Sequence, residues 1–436
     1  MTSRIETISR FYSRLLQNER DIFVYLPPSY DTDLTASFPV LYMHDGQHVF
    51  AHDRFGQSWN VHMTVDRLIE EGRLDEIMVV AVSSLPHRER LSEYFHDVPS
   101  ARGAFPSEWN GSLFERFLID EVKAHIDRTY RTLPDRQHTG MMGASAGGLL
   151  TYHIGFRRPD VFGQIGIMSP FFFHTVWEGE HRSEIPLYEQ FPDHPPIRIW
   201  VDMGGAEGLL NVSQARRVAD EWIEAGVKWG RDFAFYFDPE AAHTPQAWSD
   251  RVHAPLLYMF GKLGTPQTLQ VYGRTKIGLR GVKARLYPNV QYDSGFVMSL
   301  LEAKYDVAYP GIATVEADGS MIAHHKGTTQ VTVQYAGLQS TLTIHVVPEV
   351  TETVTLDITV EVPLDTPKDD RIYAGFEIPK AGDGLYRGSF VLPRDLKFDV
   401  PLINQYGRFE KNAFNRRFST ENDASLHLKI KEWELS

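Results

Sequence analysis

TGMMGASAGGLLTYH, residues 139–153, joins a short apolar run to a helical one through the turn Gly143-Ala144-Ser145-Ala146-Gly147. This is the G-x-S-x-G pattern of a serine raised on a sharp strand-to-helix turn. Residues two before and two after such a serine approach so closely that only glycine or a very small side chain fits. The flanks supply the context the motif needs. Thr139-Gly140-Met141-Met142 reads as a strand, and Gly148 to His153 as the start of a helix. Backbone N–H groups at a helix start face negative charge, so the Ala146 N–H is the first candidate donor to an oxyanion formed beside Ser145.

Outward from this turn, apolar runs at 22–26, 40–44, 77–83, 164–169, 197–203 and 233–237 read as further strands. Several are continuous rather than alternating, as expected of strands covered by helices on both faces. Helical patterns lie between them. One spans 59–71 and stops at Gly72, a residue suited to a left-handed cap; another spans 113–130 and sets Phe114, Phe117, Leu118, Val122 and Ile126 on one side. Strand–helix alternation of this kind predicts an α/β fold with a mostly parallel, doubly wound sheet.

A serine hydroxyl needs a base, and the base needs an orienting acid; in such a sheet they follow in the order serine, acid, histidine. The strand 197–203 runs into Gly204-Gly205-Ala206-Glu207-Gly208, and 233–237 runs into Asp238-Pro239-Glu240-Ala241-Ala242-His243. Both loops fall at the C-terminal edge of the sheet, where ligands bind in these folds. Glu207 is therefore the candidate acid and His243 the candidate base. Asp202 competes with Glu207 but lies within the strand pattern, where it reads as a structural hydrogen-bonding residue. The sequence has 18 histidines, and His243 is preferred because it follows the last predicted strand. His253 lies in the helix beyond, while His153 and His174 precede the acid. The loop His44-Asp45-Gly46-Gln47 offers the Gln47 N–H as the second oxyanion donor. His44, Asp45, His48, His52 and Asp53 lack the helical H-E-x-x-H arrangement, and no metal is expected there.

The totals bound the function classes. At 436 residues the chain has room for several domains. A net charge of −13 argues against a nucleic-acid-binding surface. Cysteine is absent, which removes disulfides, thiolate nucleophiles and cysteine-based zinc sites. The N-terminal residues carry no apolar core of the signal-peptide kind, and no stretch approaches ~18 uninterrupted apolar residues. The expectation is a cytoplasmic chain with no membrane partner, although one whose leader had been removed would read the same.

After Gly264-Thr265-Pro266 the helical period disappears and alternating strands take over. Residues 328–335 and 340–347, joined at Ala336-Gly337, read as a hairpin with apolar residues at every second position. A second break falls near Pro348-Glu349, followed by strand patterns at 354–362, 389–392, 398–403 and 425–431. The expected organisation is an α/β domain over 1–264 and two small all-β sandwiches over 265–348 and 349–436.

Several motifs recur in order along the first part: VYLPPSYD, FPVLYMHDGQHVF, SWNVHMTVDRLIEEG, Arg90-Leu91-Ser92-Glu93-Tyr94, LIDEVKAHIDRTYRT, MGASAGG, MSPFFF, VDMGGAEG and AAHTPQAW. Through them, residues 1 to about 263 resemble the putative-esterase family of α/β hydrolases, which includes esterase D and the enterochelin, feruloyl and acetyl-xylan esterases. The resemblance implies Ser145 as nucleophile, Glu207 as acid, where relatives often carry Asp, and His243 as base. It places the oxyanion donors at Gln47 and Ala146. It also implies Trp59, Phe171 and Phe172 as pocket walls, with ordinary core packing the alternative for each.

The tail has its own likenesses. PGIATVEADGSMIAHHKGTTQVTVQYAGLQSTLTIHVV resembles a bacterial immunoglobulin-like domain of group 2. VTLDITVEVPLDTPKDDRIYAGFEIPKAGDGLYRGSFVLP resembles a starch-binding-type carbohydrate module. That second likeness departs where it matters, because sugar rings stack on exposed aromatic faces. The AGxF-like turn continues as Glu377-Ile378-Pro379-Lys380, and Trp433 is the one tryptophan in the tail. Tyr373, Tyr386 and Tyr406 are substitutes on paper, with core packing the better reading.

The implied chemistry is hydrolysis of a small-molecule ester, carbohydrate-linked esters included, through a Ser-His-Glu triad and an acyl-enzyme, with no cofactor. An acyltransferase or thioesterase would use the same triad. A binding or scaffold protein with a vestigial hydrolase is the alternative from another class. Two appended β modules are compatible with homo-oligomer formation.

Overall fold

The continuous apolar runs assemble into one twisted sheet. The computed structural model describes residues 2–52, 56–102, 108–178, 181–191, 195–411 and 414–434. Its first strands are β1 (Arg4–Ser13), β2 (Asn18–Leu26), β3 (Val40–Met43), β4 (Met78–Val82), β5 (Thr139–Ala144) and β6 (Gln164–Met168). A separate hairpin follows, β7 (Phe173–Glu178) and β8 (His181–Pro186), and then β9 (Arg198–Gly204) and β10 (Phe233–Asp238) rejoin the main sheet. The order is β1-β2-β4-β3-β5-β6-β9-β10. From β4 to β10 every neighbouring pair is parallel, while β1 and β2 are antiparallel additions at one edge.

Side-chain alternation explains why the central strands are apolar throughout. Val40 and Tyr42 of β3 point into one layer with Phe114, Leu118 and Leu149. Leu41 and Met43 point into the other with Val61, Val65 and Leu257. Both faces are covered by helices, so no position on β3 is left for a polar residue. The first helix, Val61–Glu70, ends where expected, with Gly72 at φ 66°. The long helical stretch is built of Gly111–Arg116, a wider π-helical turn Phe117–Lys123, and Ala124–Thr129. Its predicted apolar face, Phe114, Phe117, Leu118, Val122 and Ile126, is fully buried.

Two elements carry little sequence signal. β1 is an edge strand of alternating exposed and half-buried residues, with a bulge between Ile8 and Phe11, so it shows no apolar run. Among the described residues β7 and β8 form a separate two-stranded sheet, and their sequence is rich in polar residues.

The sheet does not stop at β10. Val297–Ser299 pairs antiparallel with β10, and Ala284–Tyr292 pairs with Val297–Ser299. The outer edge of β10 needs partners for its backbone groups, and the β-rich C-terminal region supplies them. The predicted hairpin is formed by Gly327–Tyr335 and Leu338–Val350, with Ala336 at φ 49° and Gly337 at φ 83°. Two positive φ values in a two-residue turn suit the right-handed twist of the flanking strands. Ile277, Leu286, Val331 and Ile344 form the core of this part.

Beyond it, Thr353–Glu361 pairs with Leu385–Pro393 and Ala424–Lys429 over a separate core of Leu356, Ile358, Val360 and Phe398. Trp433 and Tyr386 are buried in that core, and Tyr406 is exposed. Among the described residues, no helix is long and apolar enough to cross a membrane.

Candidate active site

Because β5, β9 and β10 run parallel, the loops after them converge on one edge of the sheet. Ser145 follows β5 at φ 59°, ψ −125°, and the helix Ala146–Arg157 begins at the next residue. A non-glycine residue at positive φ persists only where its surroundings hold it. Here the Ser145 N–H donates to the carbonyls of Met168 (3.1 Å) and Ser169 (3.2 Å), and its own carbonyl accepts from Phe171 N–H (3.1 Å). A Cβ at Gly143 would lie 2.6 Å from the Gly147 carbonyl oxygen and 2.8 Å from the His44 ring. That contact is the physical content of the first glycine in the motif.

The acid and histidine loops are stitched together by Gly205 N–H to Asp238 O (2.6 Å) and Ala206 N–H to Ala241 O (2.9 Å). Glu207 Oε2 lies 2.7 Å from His243 Nδ1. Its other oxygen accepts from the Gly204 N–H (2.7 Å) and the Ser169 hydroxyl (2.6 Å). The Glu207 side chain is fully buried and His243 is partly open. Burial pushes the Glu207 carboxyl up, but the His243 hydrogen bond, the charges of His243 and Arg251 and the Ser169 hydroxyl outweigh it and hold the group below the usual range.

Asp202 is occupied elsewhere. Its oxygens accept from Trp200 Nε1 (2.8 Å) and Arg251 Nε (3.0 Å). Burial raises its pKa despite Arg251. Arg251 Nη2 also reaches Ser169 Oγ (2.5 Å), and Trp248 Nε1 donates to the same oxygen (3.0 Å). The Trp248 ring stands edge-on to His243 at 5.1 Å.

The loop after β3 forms a short 3₁₀ turn, Gly46–His48, behind Asp45 at φ 57°. Arg90 clamps Asp45 through two hydrogen bonds (2.6 and 2.8 Å). Burial opposes the Asp45 charge, yet Arg90 and the hydrogen bonds hold its pKa below the ordinary value. The Gln47 side chain is locked by reciprocal bonds with Ser84 (2.8 and 3.0 Å). Gln47 and Ala146 thus each stand in the first turn of a helix, where backbone N–H groups have no partner within the helix.

The remaining candidates separate. Phe172 is buried between Tyr152 and Tyr188 and packs as a core aromatic. Trp59 is also buried, and its ring lies 5.2 Å from that of Trp248. Phe171 is half-buried beside Ser145. His153 accepts from Glu189 N–H in the core, and His253 is bonded to the Gly295 carbonyl, so neither competes for Glu207. Among the described residues no group of three or more His, Asp or Glu could hold a metal; Asp53 lies outside the described residues. A cleft of about 1240 Å³ is lined by His243, Thr244 and Ala247 and by Phe409, Phe414 and Arg417 of the C-terminal region.

Sequence reasoning missed Ser169, Trp248 and Arg251. MSPFFF and AAHTPQAW contain or adjoin them, but nothing in one sequence shows that the two segments meet.

Ser145 on a strained strand-to-helix turn and the buried Glu207–His243 pair lie at the same edge of the sheet. The chain belongs to the family described as Putative esterase, whose model matches residues 13–257. It is a hydrolase acting on esters. The uncharacterized protein YbbA of Bacillus subtilis is 26% identical over 204 residues, covering 46% of this chain and 73% of that protein. An endo-1,4-beta-xylanase/feruloyl esterase of Xylanibacter ruminicola is 30% identical over 166 residues, covering 36% of this chain and 20% of that protein. Among solved structures, a ferulic acid esterase from Anaeromyces mucronatus is similar with a TM-score of 0.44 and 19% identity, over 59% of this chain and 90% of that one. The enterobactin esterase of Shigella flexneri is similar with a TM-score of 0.44 and 15% identity, over 59% of each chain.

Proposed function

We propose that Ser145, His243 and Glu207 form a catalytic triad that hydrolyses a carboxylic ester through an acyl-enzyme. The observation that carries this reading is the 2.7 Å bond from His243 Nδ1 to a fully buried Glu207 on the edge where Ser145 is presented. A carboxylate on Nδ1 fixes the tautomer that leaves Nε2 unprotonated and able to take the serine proton. Ser145 Oγ then attacks the ester carbonyl while His243 accepts its proton. The N–H groups of Gln47 and Ala146 receive the oxyanion, and His243 returns the proton to the departing alcohol. Water, deprotonated by His243, releases the acid and restores Ser145.

In the same reading the chain divides into a hydrolase module, 1–264, and two β modules, 265–348 and 349–436. The first β module is immunoglobulin-like, a reading supported by the two-residue hairpin and the separate small core. The buried positions of Trp433 and Tyr386 weigh against an aromatic sugar platform built from them. The feruloyl esterase name of the Xylanibacter relative makes hydroxycinnamoyl esters one acyl class worth including in the assay.

The test is hydrolysis of p-nitrophenyl esters from acetate to decanoate, and of methyl hydroxycinnamates, with Ser145→Ala as control. Loss of several orders of magnitude in kcat with the fold retained is the expected result. Unchanged activity in that variant would overturn the mechanism.

A further inference from the structure

The loop that carries Glu207 is not held by the hydrolase sheet alone. Glu207 forms an antiparallel bridge with Phe398, far down the chain. On either side of it, the Gly208 N–H donates to the Lys397 carbonyl (2.8 Å) and the Asp399 N–H donates to the Ala206 carbonyl (3.2 Å). Lys397–Val400 pairs on its other edge with Arg416–Ser419. The Glu207 loop is therefore joined by a one-residue bridge to the free edge of a two-stranded sheet of the C-terminal region.

Side chains reinforce this junction. Phe398 is buried, stacks on Phe418 at 4.5 Å and covers the loop so closely that a Cβ at Gly208 would meet its ring at 2.7 Å. Leu209, just past the loop, packs into the C-terminal core. Lys397 Nζ reaches Glu240 (2.6 Å) in the loop that leads to His243. Both loops that supply the carboxylate–imidazole pair are thus touched by one strand of the C-terminal region.

Resting on the triad reading above, we infer that the strand Lys397–Val400 is a positioning element of the active site, setting the backbone from which Glu207 reaches His243. A buried carboxylate has little freedom to adjust its reach, since its second oxygen is already committed to Gly204 and Ser169. A loop displaced by about 1 Å would lengthen the bond to His243, and misplacements of that size can cost about 100-fold in rate. The C-terminal region acts on turnover through this contact, without touching the reacting atoms.

The experiment uses the full chain, with ester hydrolysis and fluorophosphonate labelling of Ser145 as readouts. Asp399→Pro removes the N–H that binds Ala206; Asp399→Asn keeps it and serves as the conservative control. Asp399→Pro is expected to lower kcat by about 10- to 100-fold with KM within about twofold, while Asp399→Asn stays near wild type. In a Glu207→Gln background the same proline is expected to cost less than about twofold, because effects acting through one group do not add. A wild-type kcat for Asp399→Pro, or an equal penalty in both backgrounds, would overturn the inference and leave the triad standing. If the proline variant does not fold, Gly208→Ala, which drives a methyl into Phe398, is read in the same two backgrounds by the same criteria. A wild-type protein that neither hydrolyses esters nor labels would strike the triad reading itself, and this inference with it.

Discussion

The Ser169 hydroxyl donates to Glu207 Oε1 at 2.6 Å, while the Ser169 carbonyl accepts the Ser145 N–H at 3.2 Å. One residue just past β6 therefore ties the strained serine turn to the buried Glu207 carboxylate. It also receives Trp248 Nε1 and Arg251 Nη2 on the same hydroxyl, so its oxygen is shared among the groups that frame His243.

Ser169→Ala removes that oxygen and takes an acceptor from the buried Arg251 Nη2 and the half-buried Trp248 N–H. The expected cost is about 1–3 kcal/mol in stability, together with a kcat loss of roughly tenfold at nearly constant KM, by analogy with other lost positioning bonds. Denaturant unfolding and steady-state kinetics on the same preparation measure both. A variant with wild-type stability and kcat would show that the hydroxyl is a bystander.

Arg251 is buried between two carboxylates, Asp202 and Glu207. Arg251→Met leaves both without their cation, and breaking one side of a buried pair typically costs about 3–5 kcal/mol. The predicted outcome is a lowered urea midpoint that the double variant Arg251→Met with Asp202→Asn partly restores. No restoration in the double variant would argue against this pairing as the cause.

Gly143→Ala places a methyl against the Gly147 carbonyl and the His44 ring. Because the nearest atom is backbone, relief requires the serine turn itself to move. A destabilisation of about 1–3 kcal/mol or more is expected, with kcat falling more than the loss of folded protein explains. Active-site titration with a fluorophosphonate, which counts competent serines, separates the two effects.

Stability should fall on the acid side of neutrality. Burial depresses the His44 imidazole from 6.5 to about 4 and drives His153 well below its usual range. A histidine held neutral in the folded state binds fewer protons than the same residue unfolded. Its contribution is fully present above the unfolded value of 6.5 and is lost as pH falls toward the folded value, about 4 for His44. Asp45 and Glu207 have lowered values, so the stability they confer is present above their unfolded values of 3.8 and 4.5 and is lost as pH falls through the lower folded ones. Thermal unfolding from pH 8 to 4 should therefore show a Tm that holds near neutrality and declines below about 6.5. A Tm that rises over that interval would contradict the buried neutral histidines.

The strands 22–26 to 233–237 were legible because most of them are largely apolar on both faces, as expected of a sheet covered by helices. The serine turn was legible for a similar reason, since Gly143, Ser145 and Gly147 meet a local steric demand within one short segment. Glu207 and His243 could be placed by chain order, because loops after parallel strands share an edge. β1 and the β7–β8 hairpin were not visible, as an edge strand and a self-paired hairpin need no apolar run.

The sequence by itself determined the parallel strands and the serine turn through local spacing, and it offered the candidate acid and base through chain order. Only the tertiary structure decided what surrounds them. Ser169, Trp248 and Arg251 come from separate segments and meet only after folding. Likewise, the bridge from Glu207 to Phe398 spans most of the C-terminal half through backbone hydrogen bonds, which no side-chain pattern encodes. Whether the acid loop is completed from within the hydrolase sheet or by a distant strand is a question of which backbone edges meet, and that is settled by packing.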